Sequence, residues 1–172
     1  NNSEYAKNNK GKTFFYDYFV GGNFRGYIDQ TIMNIQSDKA YSRWIVDFAK
    51  KRIVTPKNEI YFKAGILQSL GNGFKIEKKK PHEIETEFDA LEIKDLARVA
   101  FFISKDGSKS VTAKQRNDLI KFARENEGLH TIKGLLEYHK YLNRKVDQPF
   151  ETSMVLEVDG VTNGVAFTLM QY

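Results

Sequence analysis

The sequence predicts an α+β chain, mainly helical, with a small antiparallel sheet. Three observations carry that expectation. An aromatic and β-branched segment near the N-terminus is interrupted by Gly21-Gly22-Asn23. Apolar residues then recur at helical spacing from about Ala40 to Leu142. A second β-branched run, Thr152 to Val158, follows near the C-terminus. The chain has 172 residues, 41% of them hydrophobic and 13% aromatic, too many for a disordered polypeptide. That length allows one domain with a real core, or a piece of something larger.

Residues 1–12 are rich in Asn and Lys and read as a flexible polar lead-in. Residues 13–172 form one unit. Within it, 13–30 is a hairpin: Thr13–Val20 and Phe24–Ile28 are extended, and the glycine pair supplies the turn. Asn34–Asp38 is a polar break, with Ser37 or Asp38 as a helix cap. Residues 40–142 form a helical layer. Tyr41, Trp44, Ile45 and Phe48 make one apolar stripe, and Glu59–Leu70 makes a second helix stopped by Gly71-Asn72-Gly73. Pro81 closes a lysine run and starts Glu83–Ser104, as one long helix or two shorter ones. Asp106-Gly107-Ser108 is a loop, Thr112 caps Ala113–Asn126, and Gly128 precedes Leu129–Leu142. Residues 151–172 comprise the strand Thr152–Val158, a turn at Asp159–Gly164 and an apolar helix.

Composition narrows the chemistry. With no cysteine, disulfide scaffolds, zinc–cysteine sites and thiol catalysis are excluded. Three histidines leave little for a histidine metal cage, and the nine-residue gap from His130 to His139 does not pair them on one turn. No apolar run approaches the ~20 residues a membrane span needs. Phosphate-cradling, nucleophile-elbow and HExxH patterns do not occur. A formal charge of +5 and a pI near 9.2 favour a polyanionic partner.

Two constellations could carry chemistry. Asp159-Gly160 ends an apolar strand, where rigid backbone would hold a carboxylate suited to a hard cation such as Mg²⁺ and leave room for a ligand. The bland reading is an ordinary Asp-Gly turn, with Glu157 a solvated strand residue. In Gly21–Tyr27, glycines surround Arg25 and two aromatics, a combination that can meet a phosphate and a base together. Its bland reading is a hairpin tip with an exposed arginine. Lys50-Lys51-Arg52, Lys78–Lys80 and Arg144-Lys145 could touch phosphates or could be solvated faces.

Taken in order, these pieces resemble the single-subunit DNA-directed RNA polymerases of phages and mitochondria. The strand followed by Asp159-Gly160-Val161-Thr162-Asn163-Gly164 is similar to motif A of that family, which reads roughly Asp-Gly-Ser-Cys-Asn/Ser-Gly. Phe24-Arg25-Gly26-Tyr27-Ile28 resembles the family's Arg-Gly-Arg-(Val/Ile)-Tyr segment, and Asn34-Ile35-Gln36-Ser37-Asp38 its Asn-Pro-Gln-Gly-x-Asp loop. Arg116–Asn126 is similar to the helix preceding motif A. Tyr27 stands where the family usually has a second arginine, and Val165-Ala166-Phe167 replaces the common Leu/Ile-Gln-His. The resemblance is therefore to a diverged branch, such as the virion-packaged phage enzymes.

The resemblance implies a palm-derived part of a right-hand polymerase fold. It implies that Asp159 is one of two catalytic aspartates binding a Mg²⁺ pair, with the Gly160 carbonyl as an auxiliary ligand. Arg25, Gly26 and Tyr27 would line the channel for DNA template and RNA transcript. The second aspartate and the nucleotide-binding helix belong beyond Tyr172, so the expectation is a fragment, inactive alone, whose partners are the remainder of the polymerase chain, nucleic acid and nucleoside triphosphates in a cytoplasmic or virion setting. Two other classes stay open: a non-catalytic nucleic-acid-binding module, and a structural or interaction domain.

Overall fold

The computed structural model describes residues 15–29, 50–71, 76–107, 109–145 and 148–154, with isolated positions 4, 7, 8, 10–12, 34, 36, 47 and 156. Among them the chain is mixed α and β, mainly helical, with five α-helices and two small antiparallel sheets. No described helix is long and apolar enough to cross a membrane.

The hairpin forms, but its strands are shorter than the expected Thr13–Val20 and Phe24–Ile28, because Phe24 and Arg25 belong to the turn. Strands β1 (Tyr18–Val20) and β2 (Gly26–Ile28) pair antiparallel, with Phe19 opposite Tyr27. The predicted helix at 40–50 lies outside the described residues except for Asp47 and Lys50. Strand β3 (Arg52–Val54) interrupts the expected helical layer. It pairs antiparallel with β4 (Phe150–Thr152), Val54 opposite Phe150.

Two expectations about strands are corrected here. Of the expected strand Thr152–Val158, only Thr152 pairs among the described residues; Ser153, Met154 and Leu156 are outside any strand, and Val155, Glu157 and Val158 lie outside the described residues. The Thr152 hydroxyl donates to Glu137 Oε2 at 2.7 Å and accepts from Met154 N at 3.0 Å, which turns the backbone off the ladder. Met154 and Leu156 instead pack on the helical core. Nor do the hairpin and the C-terminal strand share one sheet, because β4 takes β3 as its partner.

Helix α1 (Glu59–Ser69) is the centre of the fold. Asn58 prepares its entry: its side-chain oxygen accepts from Thr55 N at 2.7 Å and its amide donates to the Ile53 carbonyl at 3.0 Å. Phe62, Ala64, Ile66 and Leu67 are buried on several sides because α2 and α5 pack against the same helix. Gly71, at φ +97°, takes the chain out of it.

The expected Glu83–Ser104 segment is two helices. In α2 (Pro81–Asp89), Pro81 occupies the first turn and Glu83 Oε2 accepts from Lys80 N at 2.6 Å. Ile93 is buried between them, and α3 (Lys94–Asp106) runs to Gly107 at φ +68°. Helix α4 (Ala113–Glu125) begins in a capping box: Thr112 Oγ1 accepts from Gln115 N at 3.2 Å, and Gln115 Oε1 accepts from Thr112 N at 2.9 Å. Helix α5 (Leu129–Leu142) crosses α1 at Gly134 and Ser69 and also packs along α3.

Rings fasten the second sheet to the helices. Phe62 contacts Tyr141 at 5.0 Å and Phe150 at 5.3 Å between centroids, and Phe88 meets Tyr138 edge-on at 5.5 Å. The Tyr141 hydroxyl donates to Glu59 across the α1–α5 interface. Burial, with the Glu59 hydrogen bond and charge in support, pushes that phenol up to about 12.

Candidate nucleic-acid interface

The hairpin tip is built by local hydrogen bonds. Gly21 N donates to the Arg25 carbonyl and Phe24 N to the Gly21 carbonyl, each at 2.9 Å. Asn23 organises the turn: its side-chain oxygen accepts from Arg25 N at 3.2 Å, and its amide donates to the Tyr27 hydroxyl at 2.7 Å. The Tyr27 ring stacks on Phe19 at 5.5 Å and passes so close to Gly21 that a Cβ there would lie 2.6 Å from it. A side chain at that corner would have to displace the Tyr27 ring.

The turn holds Phe24 at φ +58°, a left-handed conformation that an aromatic residue rarely adopts, and leaves its side chain 91% exposed. Arg25 beside it is exposed, and its guanidinium has no ion-pair or hydrogen-bond partner among the described residues. Nothing would meet a Cβ at Gly26, so the backbone there is open to a ligand. Tyr18, Phe19 and Val20 add further exposed apolar surface. An aromatic surface this exposed, beside a guanidinium unpaired among the described residues, has the elements of a base-stacking platform.

Residues 34 and 36 brace the second strand. Gln36 Oε1 accepts from Ile28 N at 2.6 Å, and Gln36 Nε2 donates to the Gly26 carbonyl at 3.2 Å. Asn34 Oδ1 accepts from the Gln36 backbone N at 2.8 Å and holds the backbone from which that side chain reaches the strand. On this outer strand edge Gln36 thus serves Ile28 N and the Gly26 carbonyl, and Asn34 Nδ2 donates to the Ile28 carbonyl at 3.4 Å. Sequence reading placed these two segments in order but missed the clamp. The amide-rich pair Asn34/Gln36, a few residues after a strand, is the signal that marked it.

Asp159 and Gly160, the candidate catalytic and metal-binding pair, lie outside the described residues, as does Glu157. Among the described residues no group of three or more carboxylate or imidazole side chains is placed to hold a metal ion.

Other candidate groups are tied into the scaffold. Lys79 is ion-paired with Glu87, which leaves Lys78 and Lys80 exposed. The Arg144 guanidinium lies 3.8 Å from the Tyr141 ring centre and donates to the Tyr141 carbonyl at 2.7 Å, closing the end of α5. His139 stacks on Phe101 at 4.5 Å, and burial lowers its pKa.

Comparison with family models, curated proteins and solved structures gives no match.

Proposed function

We propose that this chain contributes the motif A region of a single-subunit DNA-directed RNA polymerase, with the hairpin tip facing nucleic acid. The observation that carries the proposal is the Gln36 clamp. The two segments that resemble separate polymerase motifs, Phe24–Ile28 and Asn34–Asp38, are joined directly by the Gln36 side chain at Gly26 and Ile28. The two segments are neighbours in sequence, and these bonds bring the second of them onto the outer edge of the hairpin.

In the proposed parent reaction, a 3′-hydroxyl attacks the α-phosphate of an incoming nucleotide. Asp159, with the Gly160 carbonyl, would hold Mg²⁺, whose charge neutralises the triphosphate when bound. Arg25 would pair with backbone phosphate, and Phe24 and Tyr27 would bear on neighbouring bases or sugars. Host cytoplasm or a phage virion is the proposed setting.

The test uses the full-length parent. Asp159→Asn should abolish nucleotide incorporation while leaving DNA binding intact, and near-normal synthesis by that variant would remove the proposal. The 172-residue chain by itself should show no primer extension.

A second reading has an observation of its own. Phe24 and Arg25, exposed together at a rigid tip, equally suit a non-catalytic nucleic-acid-binding module. In that case Arg25→Ala weakens binding and Asp159→Asn changes nothing.

A further inference from the structure

Strand β2 has two edges. Its inner edge is taken by β1, through the pairs Tyr18–Ile28, Phe19–Tyr27 and Val20–Gly26. No third strand joins this sheet among the described residues. Backbone groups of alternate residues point to the same side of a strand, so Gly26 and Ile28 turn theirs outward while Tyr27 faces Phe19. The outward groups are the ones that residues 34 and 36 reach. Gln36 takes Ile28 N at 2.6 Å and the Gly26 carbonyl at 3.2 Å, and Asn34 Nδ2 takes the Ile28 carbonyl at 3.4 Å.

The Gln36 carboxamide thus stands where a peptide group of a neighbouring strand would stand. It offers one N–H to Gly26 and one C=O to Ile28, as a peptide unit of such a strand does. A side chain cannot prolong the ladder, so pairing stops there.

We propose that Gln36 and Asn34 guard this edge against pairing with a second copy of the chain. The occupant follows from the edge groups themselves. Two β2 strands laid antiparallel about a two-fold axis at Tyr27 place Gly26 of each copy opposite Ile28 of the other. Ile28 N then meets the Gly26 carbonyl across the axis, and these are the two groups that Gln36 occupies. The hairpin is otherwise suited to pairing. Residues 15–29 contain no proline, and their charged residues, Asp17, Arg25 and Asp29, nearly cancel. Tyr18, Phe19 and Val20 are exposed, and nothing lies close to a Cβ built at Gly26. A two-stranded hairpin is marginal in water and gains from further strands, so an uncovered edge on it is an association site. The inference rests on the hydrogen bonds of β2 and does not depend on the polymerase reading.

The experiment compares the 172-residue chain with Gln36→Ala by sedimentation velocity over a dilution series, with amide exchange followed by NMR in the same samples. The unaltered chain should keep the monomer mass, 19.9 kDa, throughout. Dilute Gln36→Ala should also be a monomer, with Ile28 amide exchange up to about tenfold faster than in the unaltered chain. Concentrated Gln36→Ala should approach twice the monomer mass and regain the Ile28 protection, because Ile28 N has found Gly26 of the other copy. Circular dichroism checks folding, and Gln36→Ser, too short to reach both groups, replaces the alanine variant if that one does not fold. A folded variant that stays monomeric at every concentration overturns the proposal. So does association that leaves Ile28 exchange fast, since the copies then meet on another surface, or association of the unaltered chain to the same extent.

Discussion

Gly134 sets how closely α1 and α5 approach. A Cβ at this position would lie 1.7 Å from Ser69 Oγ and 2.7 Å from Ser69 Cβ, and the second contact is to an atom fixed by the backbone. Gly134→Ala should therefore push the helices apart and destabilise the chain by about 1–3 kcal/mol in urea unfolding. Pairing it with Ser69→Gly should restore part of the loss, less the cost of a helical glycine, about 1 kcal/mol. Tyr141 predicts a pH dependence. Its folded-state pKa, about 12, lies above the ordinary phenol value of 10.0, so the folded state favours the protonated phenol. The stability it contributes is complete below pH 10 and is lost as pH rises towards 12. Tyr141→Phe should cost about 1 kcal/mol at neutral pH, through the lost hydrogen bond to Glu59, and should flatten the decline in thermal stability above pH 10.

At the scale of elements, capping residues decided much that was legible in advance. Thr112, Pro81, Gly107 and Gly128 act locally, so their effects on α2 to α5 could be read from neighbouring residues. Thr112→Ala should destabilise the chain by about 1 kcal/mol through fraying of α4, seen as faster amide exchange at Gln115 and Arg116. The hairpin is half local and half not. Its turn chemistry at Gly21–Asn23 is a sequence signal, but the order of β2 also depends on Gln36. Gln36→Ala should speed exchange of the Ile28 amide, which donates to that side chain, and leave the amides of α1 to α5 unaffected. Unchanged Ile28 exchange would mean that the clamp does not hold the strand in solution.

Across the molecule, closure depends on β3 meeting β4 beneath a cluster of rings. Phe150 touches both Phe62 and Tyr141, so it links the sheet to α1 and α5. Phe150→Ala should lower stability by about 2–4 kcal/mol. The urea slope should stay unchanged if the sheet and helices unfold as one unit. β3 was illegible in the sequence because three residues flanked by lysines and Pro56 are too short to show alternation. Its partner lies nearly a hundred residues away, and nothing local announces that pairing. The same cause moved the C-terminal strand. Thr152–Val158 has the composition of a strand, but β3 offers only three residues to pair with, and Met154 and Leu156 gain more by burial on the helical core.

By itself the sequence determined helices within Glu59–Leu142, several of their caps, the hairpin turn and the identity of the exposed Arg25, because each follows from periodicity or backbone chemistry within a few residues. Of the candidate site it supplied the members: Arg25, Gly26 and Tyr27 on the hairpin, and the Asp159-Gly160 pair outside the described residues. Only the tertiary structure decided that Gln36 ties the outer edge of the hairpin to the segment after it, and that Lys79 and Arg144 serve the scaffold. Those outcomes depend on which side chains meet across long stretches of chain, and a free charge differs from a satisfied one only through its neighbours in space.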